Sequence, residues 1–318
     1  MTIALIQDTE PTPEFYALSV AIMNRWQSGE LPFDAAAQSL ASMNQEAVLD
    51  NHLANQGRIE QILGVMQSYR GNLNVSIHHY ERARAFFIQV NNALRIAICD
   101  LNLGEVYRYK GDFNRARALY EKAYESSKIL GNLENQAFAI GNKGQMLLSM
   151  GQLEAARADL VESYRLSAQF APDSDERTSL QCELHYALTL LYLLQDDNGA
   201  AWHEAKQAYE IASQVPQPLE KGFANRAVAE VVTALNAVPD DGFSDDPDIY
   251  YQAANEAFYE INAEGEIART MFAHAKSLAQ RGRRMTAARK LQHAMIIFTR
   301  LGMIDDAAKA AEVQLEVL

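Results

Sequence analysis

The chain has 318 residues, with 28 Lys and Arg against 41 Asp and Glu, a formal charge of −13. An acidic chain without a basic face repels a polyanion, so nucleic acid is not expected as the main partner. Gly and Pro make up under a tenth of the residues, too few for a sandwich or barrel, whereas Ala, the best helix former, occurs 49 times, so an all-α protein is expected.

Met1 to Glu10 lacks the basic and apolar regions of a secretory leader. The first predicted elements are helices over Glu14–Gln27 and Phe33–Met43, turning at Gly29-Glu30-Leu31-Pro32. Residues 1–45 are read as a tail with a degenerate helix pair or cap. From there to Ala171 the chain contains no proline. An internal repeat occupies this stretch. Gly64, Gly104 and Gly144 are 40 residues apart, and so are Gly71, Gly111 and Gly151. The frame holds between them at Leu73, Phe113 and Leu153, at Ser76, Ala116 and Ala156, and at Tyr80, Tyr120 and Leu160.

The physics of one unit is legible. A helix over Ala93–Tyr109 ends near Gly111, which can adopt the left-handed backbone of a tight turn. Asp112 is placed to cap the next helix. Ala116 lies one turn in, where a small side chain allows two helices to approach closely, and Tyr120 and Ala123 share its face. Gly104 in mid-helix costs about 1 kcal/mol against Ala. That cost is justified where a neighbouring helix crosses. Leu130-Gly131-Asn132 reads as a helix stop.

The segment LNLGEVYRYKGDFNRARALYEKA, Leu101 to Ala123, resembles the tetratricopeptide repeat in its 40-residue variant with a Leu-Gly-Asn linker. The resemblance is strong over Gln61–Leu166. Weaker copies follow. After extra residues in the linker Ala171–Arg177, the frame continues at Leu188, Tyr192, Asp196, Ala201 and Ala208. Leu219–Ala237 and Pro247–Ile261 form a pair split by an insertion over Pro239–Asp246. That insertion lacks an apolar pattern and reads as an exposed loop. Ala275, Leu278, Gly282, Ala287, Leu291 and Ala294 give a last copy, and Met303–Val317 reads as a capping helix. The expected fold is an α-solenoid of about six helix pairs plus that cap. Residues 46–302 form the array and 303–318 the cap. Such arrays coil into a right-handed superhelix with a concave face.

The first helix of each pair supplies the concave wall. Around the mid-helix glycine, positions −6, −3, −2, +1 and +4 share one face. They include Arg58, Gln61 and Ile62 in the first clear repeat, Asn102, Glu105 and Arg108 in the second, Phe138, Asn142 and Gln145 in the third, and Tyr186, Leu190 and Leu193 in the fourth. Asn225 is a further, less regular candidate. An Asn amide can bond both C=O and N–H of an extended peptide. The resemblance implies that role for Asn102 and Asn142, since peptide-binding members of the family carry asparagines there. Ile62 departs from the pattern. The competing reading is that these asparagines solvate the face or bond a neighbouring helix.

Arg58, Arg108 and Lys143 could form a positive spot for a carboxylate, or pair with Glu105 and nearby acids. Phe138, Tyr186, Leu190 and Leu193 could form an apolar pocket, or be core. His78 and His79 point to different faces of a helix and suit no metal. The acids Asp240, Asp241, Asp245, Asp246 and Asp248 do not match a calcium loop and read as solvated loop plus helix cap. Arg281, Arg283, Arg284, Arg289 and Lys290 read as a solvated turn. There is no phosphate-binding glycine loop, nucleophile elbow or zinc helix, so no cofactor, metal or catalytic set is expected.

Cys99 and Cys182 suit no disulfide framework, and the apolar run Leu184–Leu194 is too short for a bilayer. A cytoplasmic protein without a membrane partner is expected. The leading functional reading is a non-enzymatic interaction module that binds a peptide or extended partner segment. The alternatives are a ligand- or peptide-responsive regulator resembling quorum-sensing peptide receptors, and a structural subunit of an assembly. No DNA-reading helix-turn-helix precedes the repeats, which disfavours direct control of transcription. The sequence leaves partner identity and oligomeric state open.

Overall fold

A residue able to take the left-handed backbone recurs every 20 positions, and this spacing sets the helix lengths. Asn51, Gly71, Asn91, Gly111, Gly131 and Gly151 all have φ between 52° and 78°. Between them lie helices of 17 residues, each ended by the turn and restarted a few residues on. Asn fills two of these positions because its short polar side chain tolerates that conformation better than most. Asp196, Asn262, Gly282 and Gly302 continue the device further along. Several helix starts are capped by side chains. Asn92 accepts from the N–H of Arg95 at 3.0 Å, Asp112 from Arg115 at 3.2 Å and Asn132 from Asn135 at 2.8 Å.

The computed structural model describes residues 9–235 and 242–317. Among them are fifteen helices: α1 Pro13–Gln27, α2 Phe33–Leu49, α3 Leu53–Tyr69, α4 Leu73–Gln89, α5 Ala93–Tyr109, α6 Phe113–Ile129, α7 Leu133–Ser149, α8 Leu153–Ser167, α9 Asp175–Leu194, α10 Asn198–Ser213, α11 Pro218–Leu235, α12 Pro247–Glu260, α13 Glu264–Gln280, α14 Arg284–Leu301 and α15 Ile304–Val317. The described residues contain no strand. The protein is all-α, built of helical repeats of the α-solenoid class. It divides into two compact units, one ending at Ala139 and the other starting at Ile140, so α7 contributes to both.

In the first unit, the mid-helix glycines are where the partner helix crosses. A Cβ on Gly64 would lie 2.7 Å from Tyr80 Cε1, and one on Gly104 would lie 2.7 Å from Tyr120 Cε1. Tyr80, Ala83, Tyr120, Ala116 and Ala123 are all buried. The helices before the clear repeats are part of the same packing. Ile22 and Trp26 of α1 and Leu40 and Met43 of α2 form one cluster with Ile59, Ile62 and Met66 of α3. The boundary expected at residue 45 therefore falls inside α2.

In the second unit, Gly144 meets Leu160 in the same way, at 2.9 Å to Cγ, and Gly222 meets the ring of Phe258. The α15 helix seals the end of the core. Val317, with Val313 beside it, packs on Ala275, Leu278, Ala287 and Leu291. Its Lys309 reaches back to the carbonyl oxygen of Ser149 at 3.1 Å.

The insertion departs from expectation. Residues 236–241, which include Asp240 and Asp241, lie outside the described residues. The rest is not a plain exposed loop. Phe243 is seated among Trp202, Tyr209 and Tyr250, at ring-centroid distances of 5.0, 5.3 and 6.4 Å. A single aromatic has no periodicity, so the pattern could not reveal it. Asp246 does cap α12, accepting from the N–H of Asp248 at 3.0 Å. Asp248 pairs with Arg281, with Arg283 at 2.7 Å and with His274 at 2.8 Å. For Arg281 and Arg283, the turn expected to be solvated is therefore the counter-charge of this acidic segment.

Candidate functional site

The predicted site residues fall on α3, α5, α7 and α9. In the first unit, Asn102 is partly buried on α5. One turn along, Arg108 pairs with Glu105 through Nε at 2.9 Å and through Nη2, and Tyr120 donates its hydroxyl to Glu105 Oε2 at 2.7 Å. Burial alone would raise the Glu105 carboxyl. The Arg108 charge and hydrogen bonds outweigh it and hold the carboxyl below its usual range. Arg108 is raised well above its ordinary value by the same partner, against the opposing effect of burial. Arg108 is thus neutralised in place, as is Lys143 by Asp159 at 3.1 Å.

Arg58 differs. It donates to Ser19 Oγ at 3.2 Å and Gln61 Oε1 at 3.3 Å, and lies over the Tyr16 ring at 4.9 Å. Burial and then the Arg95 charge lower its pKa to about 10. The departure at Ile62 has a structural cause. Ile62 is 1% exposed, packed against α1 and α2, so this first-repeat position is core.

Phe138 is partly buried on α7, and Asn142 follows it by four residues on the same helix. In the second unit, Asn142 is 9% exposed. Gln145 lies one turn further. Its Nε2 is buried and has no hydrogen-bond partner among the described residues. An unmet buried donor costs about 1–3 kcal/mol, and a carbonyl supplied by a ligand removes that cost.

Tyr186 stacks on Phe223 at 5.5 Å, lies under the Arg226 guanidinium at 4.6 Å, and donates to Glu230 Oε1 at 3.4 Å. Burial pushes its hydroxyl well above the usual tyrosine value. Tyr186 is therefore tied to a buried ionic network that the sequence reading did not anticipate. Arg226 is 2% exposed and donates to Glu266 Oε2 at 2.7 Å and to Thr270 Oγ1 at 3.2 Å. Arg269 binds the other Glu266 oxygen at 2.7 Å and Asp306 at 2.9 Å. The available signal was an arginine within the apolar run Ala224–Val232. Asn225 bonds back to the carbonyl of Lys221 at 2.8 Å.

Among the described residues no group of three or more His, Cys, Asp or Glu side chains is placed to hold a metal ion. No helix there is long and apolar enough to cross a membrane.

The tetratricopeptide repeat family matches residues 55–129 and 95–169. That stretch, residues 55–169, carries tetratricopeptide repeats. Solved structures share the fold over nearly the whole chain. A Rap protein crystallised in complex with Competence and Sporulation Factor is similar at a TM-score of 0.58 and 14% identity, over 96% of this chain and 98% of that one. The apo form of RapI is similar at a TM-score of 0.60 and 13% identity, over 91% of this chain and 98% of that one. No curated protein sequence matches the chain.

Proposed function

We propose that this protein is a non-catalytic interaction module that binds a peptide or an extended segment of a partner protein. Asn102, and Asn142 with Gln145, are the groups that hold the partner's backbone. The observation that carries this reading is the pair on α7. The two amides lie one turn apart on α7, Asn142 at 9% exposure and Gln145 with a buried Nε2 that has no hydrogen-bond partner among the described residues. Backbone C=O and N–H groups have the chemistry to satisfy them without reading side chains. Asn102 places an amide at the equivalent register of α5.

The regulator reading is the second choice. It is favoured by one finding, the similarity to a Rap protein solved in complex with Competence and Sporulation Factor. A protein or peptide partner, no nucleic acid or membrane partner and a cytoplasmic setting complete the proposal, in keeping with the charge of −13. The test is capture of partners from native cell extract on wild type and on the Asn102→Ala, Asn142→Ala double variant. Loss of partners with the variant supports the assignment. Full retention, with an intact helical spectrum, rejects these residues as the binding groups.

A further inference from the structure

In the first unit the non-helical segment Thr9–Thr12, which leads into α1, is held by side chains at the N-terminal ends of α3 and α5. Thr12 donates its N–H to Asn55 Oδ1 at 3.0 Å. Asn92 Nδ2 donates to the carbonyl oxygen of Thr9 and to Glu10 Oε1, both at 2.8 Å. Arg95 Nε donates to Glu10 Oε2 at 3.3 Å. Pro11 is buried between these contacts.

The receptor side of this contact is built. Asn55 and Asn92 are each only 6% exposed. Asn92 Oδ1 accepts from the N–H of Arg95 as the cap of α5, which fixes the amide and turns its NH2 toward Thr9 and Glu10. Arg58 and Arg95 both lie over the Tyr16 ring, so two guanidinium groups make the neighbourhood positive. Glu10 supplies a carboxylate to it. The Glu10 side chain is itself 52% exposed, at the solvent edge of the contact.

A backbone carbonyl, a backbone N–H and one carboxylate are thus recognised by side chains alone. Nothing in that chemistry requires the segment to belong to the same chain. We propose that Asn55, Asn92 and Arg95 form a second peptide-binding site, separate from Asn102 and Asn142, for an extended Glu-Pro segment of a partner protein. Thr9–Thr12 fills it in cis as a tethered competitor. A short tether gives an effective concentration on the order of millimolar, enough to mask the site from a partner at micromolar concentration.

The probe is a labelled peptide with this chain's own sequence Thr-Glu-Pro-Thr-Pro-Glu, titrated by fluorescence anisotropy against the full chain. Glu10→Lys removes the carboxylate that Arg95 and Asn92 hold and frees the site. The expected result is binding at least tenfold tighter than to wild type. Thr12→Pro is a second freed variant. It deletes the N–H that Asn55 accepts, and the φ of −59° at Thr12 suits proline. Adding Asn92→Asp keeps an acceptor for the cap of α5 but replaces the donor with a carboxylate. It should weaken the peptide at least tenfold in either freed background. Equal affinity for wild type and both freed variants overturns the proposal, as does affinity that Asn92→Asp leaves unmoved. Failure of both freed variants to fold also overturns it, because a competitor is dispensable to the fold and a brace is not.

Discussion

A Cβ on Gly104 would fall 2.7 Å from Cε1 and 2.8 Å from Cδ1 of the Tyr120 ring. Tyr120 cannot swing aside, because it is fully buried and its hydroxyl is bonded to Glu105. Gly104→Ala gains helix propensity of about 1 kcal/mol. It also forces the α5–α6 crossing apart, an overpacking cost of about 1–3 kcal/mol. The expected outcome is net destabilisation with a displaced Tyr120. Chemical denaturation checks it, and a more stable variant would show that the crossing yields easily.

Ala116 is wholly buried on the other side of that crossing. Ala116→Leu is expected to cost about 1–3 kcal/mol for the same reason. A change under about 0.5 kcal/mol in thermal or denaturant unfolding would contradict the packing described.

Both cysteines are buried and unbridged. Burial, with the neighbouring Asp100 charge, pushes the Cys99 thiol up to about 12, and burial pushes Cys182 well above its usual value. The thiolate is the reactive form. The native protein is therefore expected to react negligibly with a disulfide reagent at pH 8 and to titrate both thiols once unfolded. Rapid native labelling would mean that these positions open readily.

The Glu266 carboxyl is raised by burial but lowered further by Arg226 and Arg269, ending at about 2. Its folded value lies below the ordinary carboxylate value of about 4.3. Its contribution to stability is therefore complete above that value and is lost as pH falls through about 2. Glu266→Gln leaves Arg226 without its buried counter-charge, and breaking such a pair costs about 3–5 kcal/mol at pH 7. Denaturant unfolding between pH 2 and 7 checks both parts. A variant as stable as wild type at pH 7 would contradict the role assigned to the pair.

The repeat was legible because the glycines mark two different needs at a fixed period. Gly71, Gly111 and Gly151 serve the turns, and Gly64, Gly104 and Gly144 serve the crossings. Asn51 and Asn91 are not legible as turn residues, because their side chains disguise a backbone conformation that glycine advertises. Asn102, Asn142 and Gln145 could be placed on a face from register alone. That Arg108 is neutralised by Glu105, or that Ile62 is covered by α1 and α2, depends on packing that no single helix encodes. The Arg226 network was hidden for the same reason, since Glu266 lies on α13, two helices further on.

Asn102 and Asn142 are proposed to bond a partner's backbone. Peptides selected from a random displayed library on wild-type protein supply the ligand. Calorimetric titration of one such peptide against wild type and the Asn102→Ala, Asn142→Ala variant then measures the claim directly. Each lost bond is worth about 1–3 kcal/mol, so the combined loss is on the order of 30-fold to several thousand-fold if the two act independently. The thermal midpoint should move little. Unchanged affinity in a folded variant would contradict the claim, and so would a large loss of stability, which would make these asparagines part of the framework.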